Sequence, residues 1–430
     1  MTGQASRRDI LKRAAQAAAA GAFTFDRTGA ALAREQSARR ADTTGKIDVL
    51  LRAATDSGDL PGVVAMAADD AGLIYEGAFG WRRLRDGEAM TRDTVFRVAS
   101  MIKPITTVAA LQLVERGKLA LDAPVPPIEP ELGAPLVLDG FDDKGRPLLR
   151  PAKRPILLRE LLTHTSGFAY RLWDAKAVQY FKALELIPAK ARKNLPLKPL
   201  MFDPGERWQY GGGLDWAGRL VEFASGEPLD IYFRKHIFDP LGMHDTAFVI
   251  SKEQQTREAS GHRRMPDGSL IAEPRERIIA RRQFSGGGGI YSTAEDYLTF
   301  IRTLLAGGAH GGVRILRPDT VAQMGRNQIG KLDAGRLRTT APQLSNDVDF
   351  FPGISLKWGF GHMINMQPVP ERRSAGSLTW GGLLNTYYWI DPQKRIAAIF
   401  LTQVLPFADD RALSVYAQFE RAIYAGAKAG

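Results

Sequence analysis

Ser100 and Lys103 form the one Ser-x-x-Lys motif of the chain, and these two residue types together can perform nucleophilic chemistry. A serine hydroxyl is a weak nucleophile that needs an adjacent base, and a neutral lysine amine can be that base. Residues 105–116 carry apolar side chains at helical spacing, and Gly117 is typical of a helix end. We therefore expect Ser100 at a helix start, with Lys103 one turn along the same face. The alternative is a simple N-cap, although a capping box has Glu or Gln, not Lys, three residues later.

Tyr210 is a second candidate, because it is followed by Gly211-Gly212-Gly213 and then by a predicted helix over 214–224. A phenol near a helix N-terminus and beside a lysine can exchange protons with that lysine. The glycines leave space for a substrate to approach. The alternative is a buried aromatic side chain beside a turn.

Trp380-Gly381-Gly382 is the third candidate, at the predicted end of one strand and the turn into the next. Paired glycines at a strand favour close approach of the backbone to a ligand. An exposed N–H there can face a reacting carbonyl group. The alternative is a β-bulge.

Composition limits the class of protein. The chain has 430 residues, is 44% hydrophobic and contains no Cys, so it has room for one to three domains without disulfides or thiolate metal sites. Its net charge of +11 is dispersed, which argues against a nucleic-acid partner. The His residues form no ligand-spaced cluster, and the nucleotide-binding glycine motifs are absent. We expect neither a metal nor another cofactor.

The N-terminal segment, residues 1–33, resembles a twin-arginine export signal. Arg7-Arg8 precede a weakly apolar, Ala-rich run over 14–25, and Ala31-Leu32-Ala33 offers a small-residue cleavage site. The apolar run is too short and too polar for a stable transmembrane helix, and no other segment reaches that length. We expect an exported protein, periplasmic or secreted. The alternative is an ordinary amphipathic or disordered N-terminal segment.

The order of helix and strand patterns predicts an α/β fold of the α+β type. Strands are predicted over 63–67, 73–79, 358–366, 383–390 and 395–401. Helices are predicted over 47–56, 105–116, 157–162, 214–224, 229–236, 294–305, 319–326 and 408–424. Residues 47–95 and 285–430 would form one discontinuous domain, an antiparallel sheet flanked by terminal helices. Residues 96–284 would form a mostly helical inserted domain, with the active site at the interface.

Taken together, Ser100-x-x-Lys103, Tyr210 and Trp380-Gly381-Gly382 resemble the motifs of the serine β-lactamase-like superfamily. That superfamily includes class C β-lactamases, D-Ala-D-Ala carboxypeptidases and family VIII carboxylesterases. The stretches 161–167, 240–243 and 287–296 also resemble it. The resemblance implies that Ser100 is the acylated nucleophile and that Lys103 and Tyr210 are its base pair. It also implies an oxyanion hole made of the backbone N–H groups of Ser100 and Leu383.

Two positions depart from the common pattern of this superfamily. Its second motif is commonly Tyr-x-Asn, whereas the third residue here is Gly212. Its third motif commonly begins with Lys or His, whereas this chain has Trp380, the form found in the esterase branch and related acyltransferases. Gly212, Trp380, Gly381 and Gly382 are the expected substrate contacts. The nearby Arg372 and Arg373 are candidates for a substitute cation.

These departures favour uncharged esters over β-lactams. We therefore expect a serine esterase that acts on small, short-chain carboxylic esters through an acyl-enzyme. The alternatives are a β-lactamase, a D-Ala-D-Ala carboxypeptidase, an acyltransferase, or a non-catalytic binding protein with the same fold. His164 would be the partner in a rival Ser-His scheme, but its Thr-His-Thr-Ser-Gly setting resembles a structural turn of the family.

Overall fold

The computed structural model describes residues 41–427, apart from 85, 189–191, 193–194 and 275–282. The predicted export segment, residues 1–33, lies outside the described residues. Within the described ranges, no helix has the length and apolar character needed to cross a membrane.

An eight-stranded sheet in which all neighbouring strands are antiparallel forms the centre of the fold. The strands are β1 (Gly62–Asp69), β2 (Gly72–Arg83), β3 (Glu88–Ala89), β4 (Phe96–Arg97), β5 (Leu136–Phe141), β6 (Pro147–Pro151), β7 (His262–Arg264), β8 (Leu270–Ala272), β9 (Tyr291–Ser292), β10 (Ala309–His310), β11 (Val313–Arg314), β12 (Leu356–Trp358), β13 (Met363–Asn365), β14 (Leu378–Gly382), β15 (Thr386–Asp391), β16 (Ile396–Leu401) and β17 (Val404–Leu405). The order in the large sheet is β12-β13-β14-β15-β16-β1-β2-β3. Strands from both ends of the chain therefore meet where β1 pairs with β16, which confirms the predicted sheet.

Most of the helices either flank this sheet or lie in the middle of the chain. They are α1 (41–56), α2 (Ile102–Glu115), α3 (Pro130–Gly133), α4 (Leu158–Thr163), α5 (Ala175–Leu186), α6 (Gly213–Ser225), α7 (Leu229–Phe233), α8 (Asp239–Leu241), α9 (Lys252–Thr256), α10 (Ala294–Leu305), α11 (Pro318–Met324) and α12 (Asp410–Ala427). A π-helical turn, Arg234–Phe238, joins α7 to α8. The numbered domain boundaries given above remain a prediction.

Helices cover both faces of the sheet. α10 packs against β1 and β16, while Phe419 of α12 contacts the rings of Tyr75 in β2 and Trp389 in β15. A strand covered on both faces carries a continuous apolar run instead of an alternating pattern. This explains the sequences of β1, which is buried from Gly62 to Ala68, and of β16, which is buried throughout.

The sequence prediction was wrong at two places that matter for the site. The single strand expected over 358–366 is two strands, β12 and β13, because Gly361 has a φ of 81° and forms a turn between them. A Cβ on Gly361 would lie 2.7 Å from Thr107 Oγ1, so this turn packs closely on α2. The helix α5 was not predicted, and it forms part of the wall of the cleft described below.

The helix that follows Ser100 is more buried than an amphipathic pattern implies. Every residue of α2 from Ile102 to Leu113 is buried. α6 packs beside α2, and Gly218 of α6 faces Gly286, where a Cβ on Gly218 would lie 3.0 Å from the Gly286 Cα. The backbone is therefore closely packed here, and this packing places the 285–289 segment next to Lys103.

Candidate active site

Ser100 lies in a 3₁₀ turn, Ala99–Met101, that joins β4 to α2. Ala99 has a φ of 44°, a conformation that L-residues other than Gly rarely adopt and that carries a cost of about 1–3 kcal/mol. Ser100 is not the N-cap of either helix, and neither cap position makes a side-chain capping bond. The hydroxyl of Ser100 instead accepts a hydrogen bond from Lys103 Nζ at 3.0 Å.

Lys103 is completely buried in the first turn of α2. Its Nζ donates a second hydrogen bond to the Gly287 carbonyl at 2.7 Å. The same atom lies 4.9 Å from the ring centroid of Tyr210 and 5.3 Å from that of Tyr170. The amine therefore lies beside two neighbouring aromatic rings and contacts the serine hydroxyl.

Tyr210 is brought to the same point from the start of α6, for which Gly212 is the N-cap residue. Its hydroxyl accepts a hydrogen bond from Trp380 Nε1 at 3.0 Å, and the two rings are 4.8 Å apart. The structure thus joins the three motifs that the sequence analysis singled out. Ser100, Lys103, Tyr210 and Trp380 form one connected group, although they come from three separate parts of the chain.

The end of β14 lies against the turn that carries Ser100. A Cβ on Gly382 would lie 2.3 Å from the Val98 carbonyl oxygen, so only glycine fits there. Leu383, the next residue, lines the cleft together with Ser100. Neither backbone N–H donates to an acceptor among the residues that the structure describes. Both donors therefore remain available for a substrate oxygen.

The cleft above Ser100 has a volume of about 830 Å³. Its larger apolar wall residues are Leu172, Trp173, Val178, Phe181, Leu344, Trp380, Leu383 and Phe407. Gly381 is part of this wall. Gly212 and Gly382 are not, because Gly212 faces Asp215 and Gly382 faces Val98. The expected contact of Gly212 and Gly382 with substrate remains a prediction.

The expectation that Arg372 or Arg373 supplies a substitute cation to the site is wrong. Arg373 is completely buried and donates to Glu420 of α12 from Nε at 2.7 Å and from a terminal nitrogen at 2.9 Å. Arg372 lies 3.6 Å from the same carboxylate. The cations that line the cleft are the exposed side chains of Arg171 and Lys182, at its α5 side.

Three residues that the sequence analysis missed also belong to the site. The Asp215 carboxylate accepts hydrogen bonds from the Tyr170 hydroxyl at 2.8 Å and from the Ser285 hydroxyl. Burial and the Asp215 charge raise the pKa of Tyr170 well above 10, so this phenol keeps its proton. An acidic residue in the first turn of the helix after Tyr210 was the available sequence signal for Asp215.

His164 lies beside the site in a structural position, as its sequence setting indicated. It ends α4 with a φ of 60°, and its Nδ1 accepts the Gly211 N–H at 3.3 Å. Burial lowers its pKa well below 6.5. The ring packs on Tyr210 with centroids 4.6 Å apart, so this histidine is neutral and supports the position of Tyr210.

An antiparallel sheet flanked by helices, with a Ser-x-x-Lys helix that faces a tyrosine and the end of a sheet strand, defines the serine β-lactamase and transpeptidase-like class. The chain belongs to the family described as Beta-lactamase, which matches residues 47–422.

Several characterised proteins are similar over nearly their whole length. The chain is 35% identical to the lovastatin esterase of Penicillium rubens, over 88% of this chain and 98% of that protein. It is 33% identical to the monacolin J acid methylbutanoyltransferase of Aspergillus terreus, over 90% and 97%. The unliganded simvastatin synthase structure from Aspergillus terreus has a TM-score of 0.79 at 31% identity, covering 90% of this chain and 99% of that one. The family thus contains serine hydrolases and acyltransferases of this fold.

Proposed function

We propose that this protein is a serine hydrolase that cleaves carboxylic esters of short acyl groups through an acyl-enzyme on Ser100. The observation that carries the proposal is the contact of a buried lysine amine with the serine hydroxyl at 3.0 Å, beside Tyr210. A hydroxyl nucleophile is activated when a base lies within hydrogen-bond reach of it and a third group lies next to the base.

In the acylation step, the neutral amine of Lys103 takes the proton of the Ser100 hydroxyl as Oγ attacks the ester carbonyl carbon. The negative charge that forms on the carbonyl oxygen is stabilised by the N–H groups of Ser100 and Leu383, which is often the largest catalytic contribution. The carbon–oxygen bond to the alcohol then breaks. The leaving alkoxide receives a proton from Lys103 through Tyr210.

In the deacylation step, Tyr210 and Lys103 take a proton from a water molecule as its oxygen attacks the acyl carbon. The bond to Ser100 Oγ breaks, and the serine recovers its proton. The products are a free carboxylic acid and an alcohol, so the protons balance over the cycle and no cofactor is consumed.

The size and lining of the cleft support a bulky, apolar alcohol portion for the ester. About 830 Å³ lies in the upper part of the usual range of small-molecule sites, about 300–1,000 Å³. The relatives point the same way, since one is named a lovastatin esterase and another transfers a methylbutanoyl group, a short branched acyl chain. Trp380 in place of a cation disfavours substrates whose carboxylate must be held at the third motif.

The proposal is tested by hydrolysis of p-nitrophenyl acetate and butyrate, compared with nitrocefin and a D-Ala-D-Ala peptide. We expect ester turnover that exceeds turnover of either other substrate and that falls by several orders of magnitude in Ser100→Ala. Wild-type activity in Ser100→Ala would remove the nucleophile assignment. A non-catalytic binding protein would show no turnover and no covalent labelling by a fluorophosphonate.

Acyl transfer is the second candidate function, favoured by the similarity to the methylbutanoyltransferase and to simvastatin synthase. An alcohol held in the apolar cleft would attack the acyl-enzyme in place of water. Product analysis with an added apolar alcohol distinguishes the two, because transfer yields a new ester and hydrolysis yields only the acid.

We also propose that residues 1–33 direct export by a twin-arginine route, which the sequence alone supports. The test compares the location of the wild-type protein with that of a variant in which Arg7 and Arg8 are changed to Lys. A wild type that is periplasmic or secreted, with a variant that stays in the cytoplasm, would support this proposal. Export that is unaffected by this change would contradict it.

A further inference from the structure

Asp215 is an acidic side chain of the candidate active site that the mechanism above does not use. It lies in the first turn of α6 and lines the cleft. No basic side chain of the described residues forms an ion pair with it. Its two hydrogen-bond donors are instead hydroxyl groups, Tyr170 at 2.8 Å and Ser285. A carboxylate that accepts from two hydroxyls fixes the positions of both.

Both of these hydroxyl groups lead to Lys103. The Ser285 Oγ accepts the Gly287 N–H at 3.0 Å, and the Gly287 carbonyl accepts from Lys103 Nζ at 2.7 Å. The ring of Tyr170 lies 5.3 Å from the same Nζ. The carboxylate therefore holds the carbonyl below the amine and the ring beside it.

The glycines around Asp215 fit this arrangement. A Cβ on Gly287 would lie 2.6 Å from the Tyr170 hydroxyl and 2.8 Å from Asp215 Oδ1. A Cβ on Gly212 would lie 3.3 Å from Asp215 Oδ2. Gly212 stands where the superfamily commonly has Asn, so the carboxylate lies next to the position of the missing amide.

We propose that Asp215 is a positioning residue for the acylation step. Through Ser285 and Gly287 on one side and Tyr170 on the other, it holds the amine of Lys103 against the Ser100 hydroxyl. This inference rests on the proposed function. General-base catalysis depends on the geometry of nucleophile and base. Release of the Gly287 carbonyl would therefore lower the rate of serine activation, and its effect on the affinity for substrate would be smaller.

The experiment compares Asp215→Asn and Ser285→Ala with the wild type and with Glu222→Gln. Glu222 is the control because it lies on the same helix, is paired with Arg219 and is not part of the cleft wall. Two quantities are measured, the rate of fluorophosphonate labelling of Ser100 and the kcat and KM for p-nitrophenyl butyrate. Circular dichroism and thermal unfolding establish that each variant is folded.

We expect labelling and kcat to fall by about 10- to 100-fold in Asp215→Asn and Ser285→Ala, with KM close to that of the wild type. Glu222→Gln should match the wild type. In a Lys103→Arg background, Asp215→Asn should produce no further loss of labelling, because its effect acts through Lys103.

The following results would overturn the inference. A wild-type rate in folded Asp215→Asn, or a loss confined to KM, would show that the carboxylate does not position the base. A loss that persists in the Lys103→Arg background would show that it acts by another route. If Asp215→Asn fails to fold, Ser285→Ala decides, because it breaks the connection to Gly287 alone. A wild type that is not labelled at all would refute the proposed function itself.

Discussion

The indole N–H of Trp380 donates a hydrogen bond to the hydroxyl of Tyr210, with 3.0 Å between the nitrogen and the oxygen. Both side chains are almost completely buried, at 2% and 1% exposure. In the common superfamily pattern a cation occupies the position of Trp380. Here the neutral indole N–H of Trp380 orients the Tyr210 hydroxyl. Tyr210 therefore has a hydrogen-bond donor at this position without a positive charge.

Trp380→Phe tests this relationship, because Phe keeps a buried aromatic ring and removes the donor. We expect ester hydrolysis to fall by about fivefold, as a lost hydrogen bond of about 1 kcal/mol at the reacting groups would produce. The measurement is kcat for p-nitrophenyl butyrate.

Trp358→Phe is the matched control for that variant. The Trp358 ring lies 4.8 Å from that of Trp380, but its Nε1 has no hydrogen-bond partner among the described residues. Its substitution removes a similar volume and no hydrogen bond. Equal losses in the two variants would mean that packing, and not the hydrogen bond to Tyr210, explains the effect.

Glu420→Gln should destabilise the fold without changing the chemistry. Arg373 and Glu420 are both completely buried, and removal of one partner leaves an uncompensated buried charge, which costs about 3–5 kcal/mol. Denaturant unfolding should report this loss, while activity per folded molecule stays unchanged. Glu371→Gln is the control, since Glu371 is 77% exposed and its ion pair with Arg421 is worth about 0–1 kcal/mol. Similar losses in both variants would contradict the prediction.

The stability of the protein should fall in mild acid, in part because of His362. Complete burial lowers its pKa to about 3, against 6.5 for an unfolded chain. Between these values the unfolded state binds the proton and the folded state does not, so stability present above pH 6.5 is lost as the pH falls. From about pH 8 to about pH 5 the loss from this residue is about 2 kcal/mol.

His362→Gln isolates that contribution. Glutamine does not titrate, so the variant should lose less stability over the same pH range, whatever its stability at neutral pH. His164 and His262, whose pKa values are also lowered by burial, remain in both proteins and leave part of the slope. The measurement is urea unfolding at a series of pH values, and parallel curves for the two proteins would refute the assignment.

Local spacing explains which parts of the site were predictable from sequence. Ser100 and Lys103 are one helical turn apart, so their contact follows from the helix itself. The helix α10 was predicted at its observed residues, because its apolar residues follow the helical repeat. The three motifs were associated only through the resemblance to a known superfamily.

Tertiary contacts explain what the sequence did not predict. Asp215 and Ser285 meet because α6 packs closely on the 286–289 segment, and no local pattern relates the two. Arg373 was expected near the site from its distance along the chain, but α12 supplies Glu420 and buries the pair elsewhere. The turn at Gly361 needs a positive φ, which an apolar strand pattern does not reveal.

The last prediction concerns Lys103, whose role as base requires a neutral amine in the resting enzyme. Lys103→Arg places a side chain of similar length beside the rings of Tyr170 and Tyr210, and it can still donate to the Gly287 carbonyl. A guanidinium cannot release its proton at working pH, so it cannot accept the proton of Ser100. We therefore expect a folded variant whose ester hydrolysis is nearly as low as that of Ser100→Ala. The comparison is made by kinetics with circular dichroism, and Lys118→Arg, an exposed position after α2, is the control. General-base catalysis is typically worth about 10²–10⁴-fold, so retention of more than about a tenth of the wild-type rate would rule out Lys103 as the base.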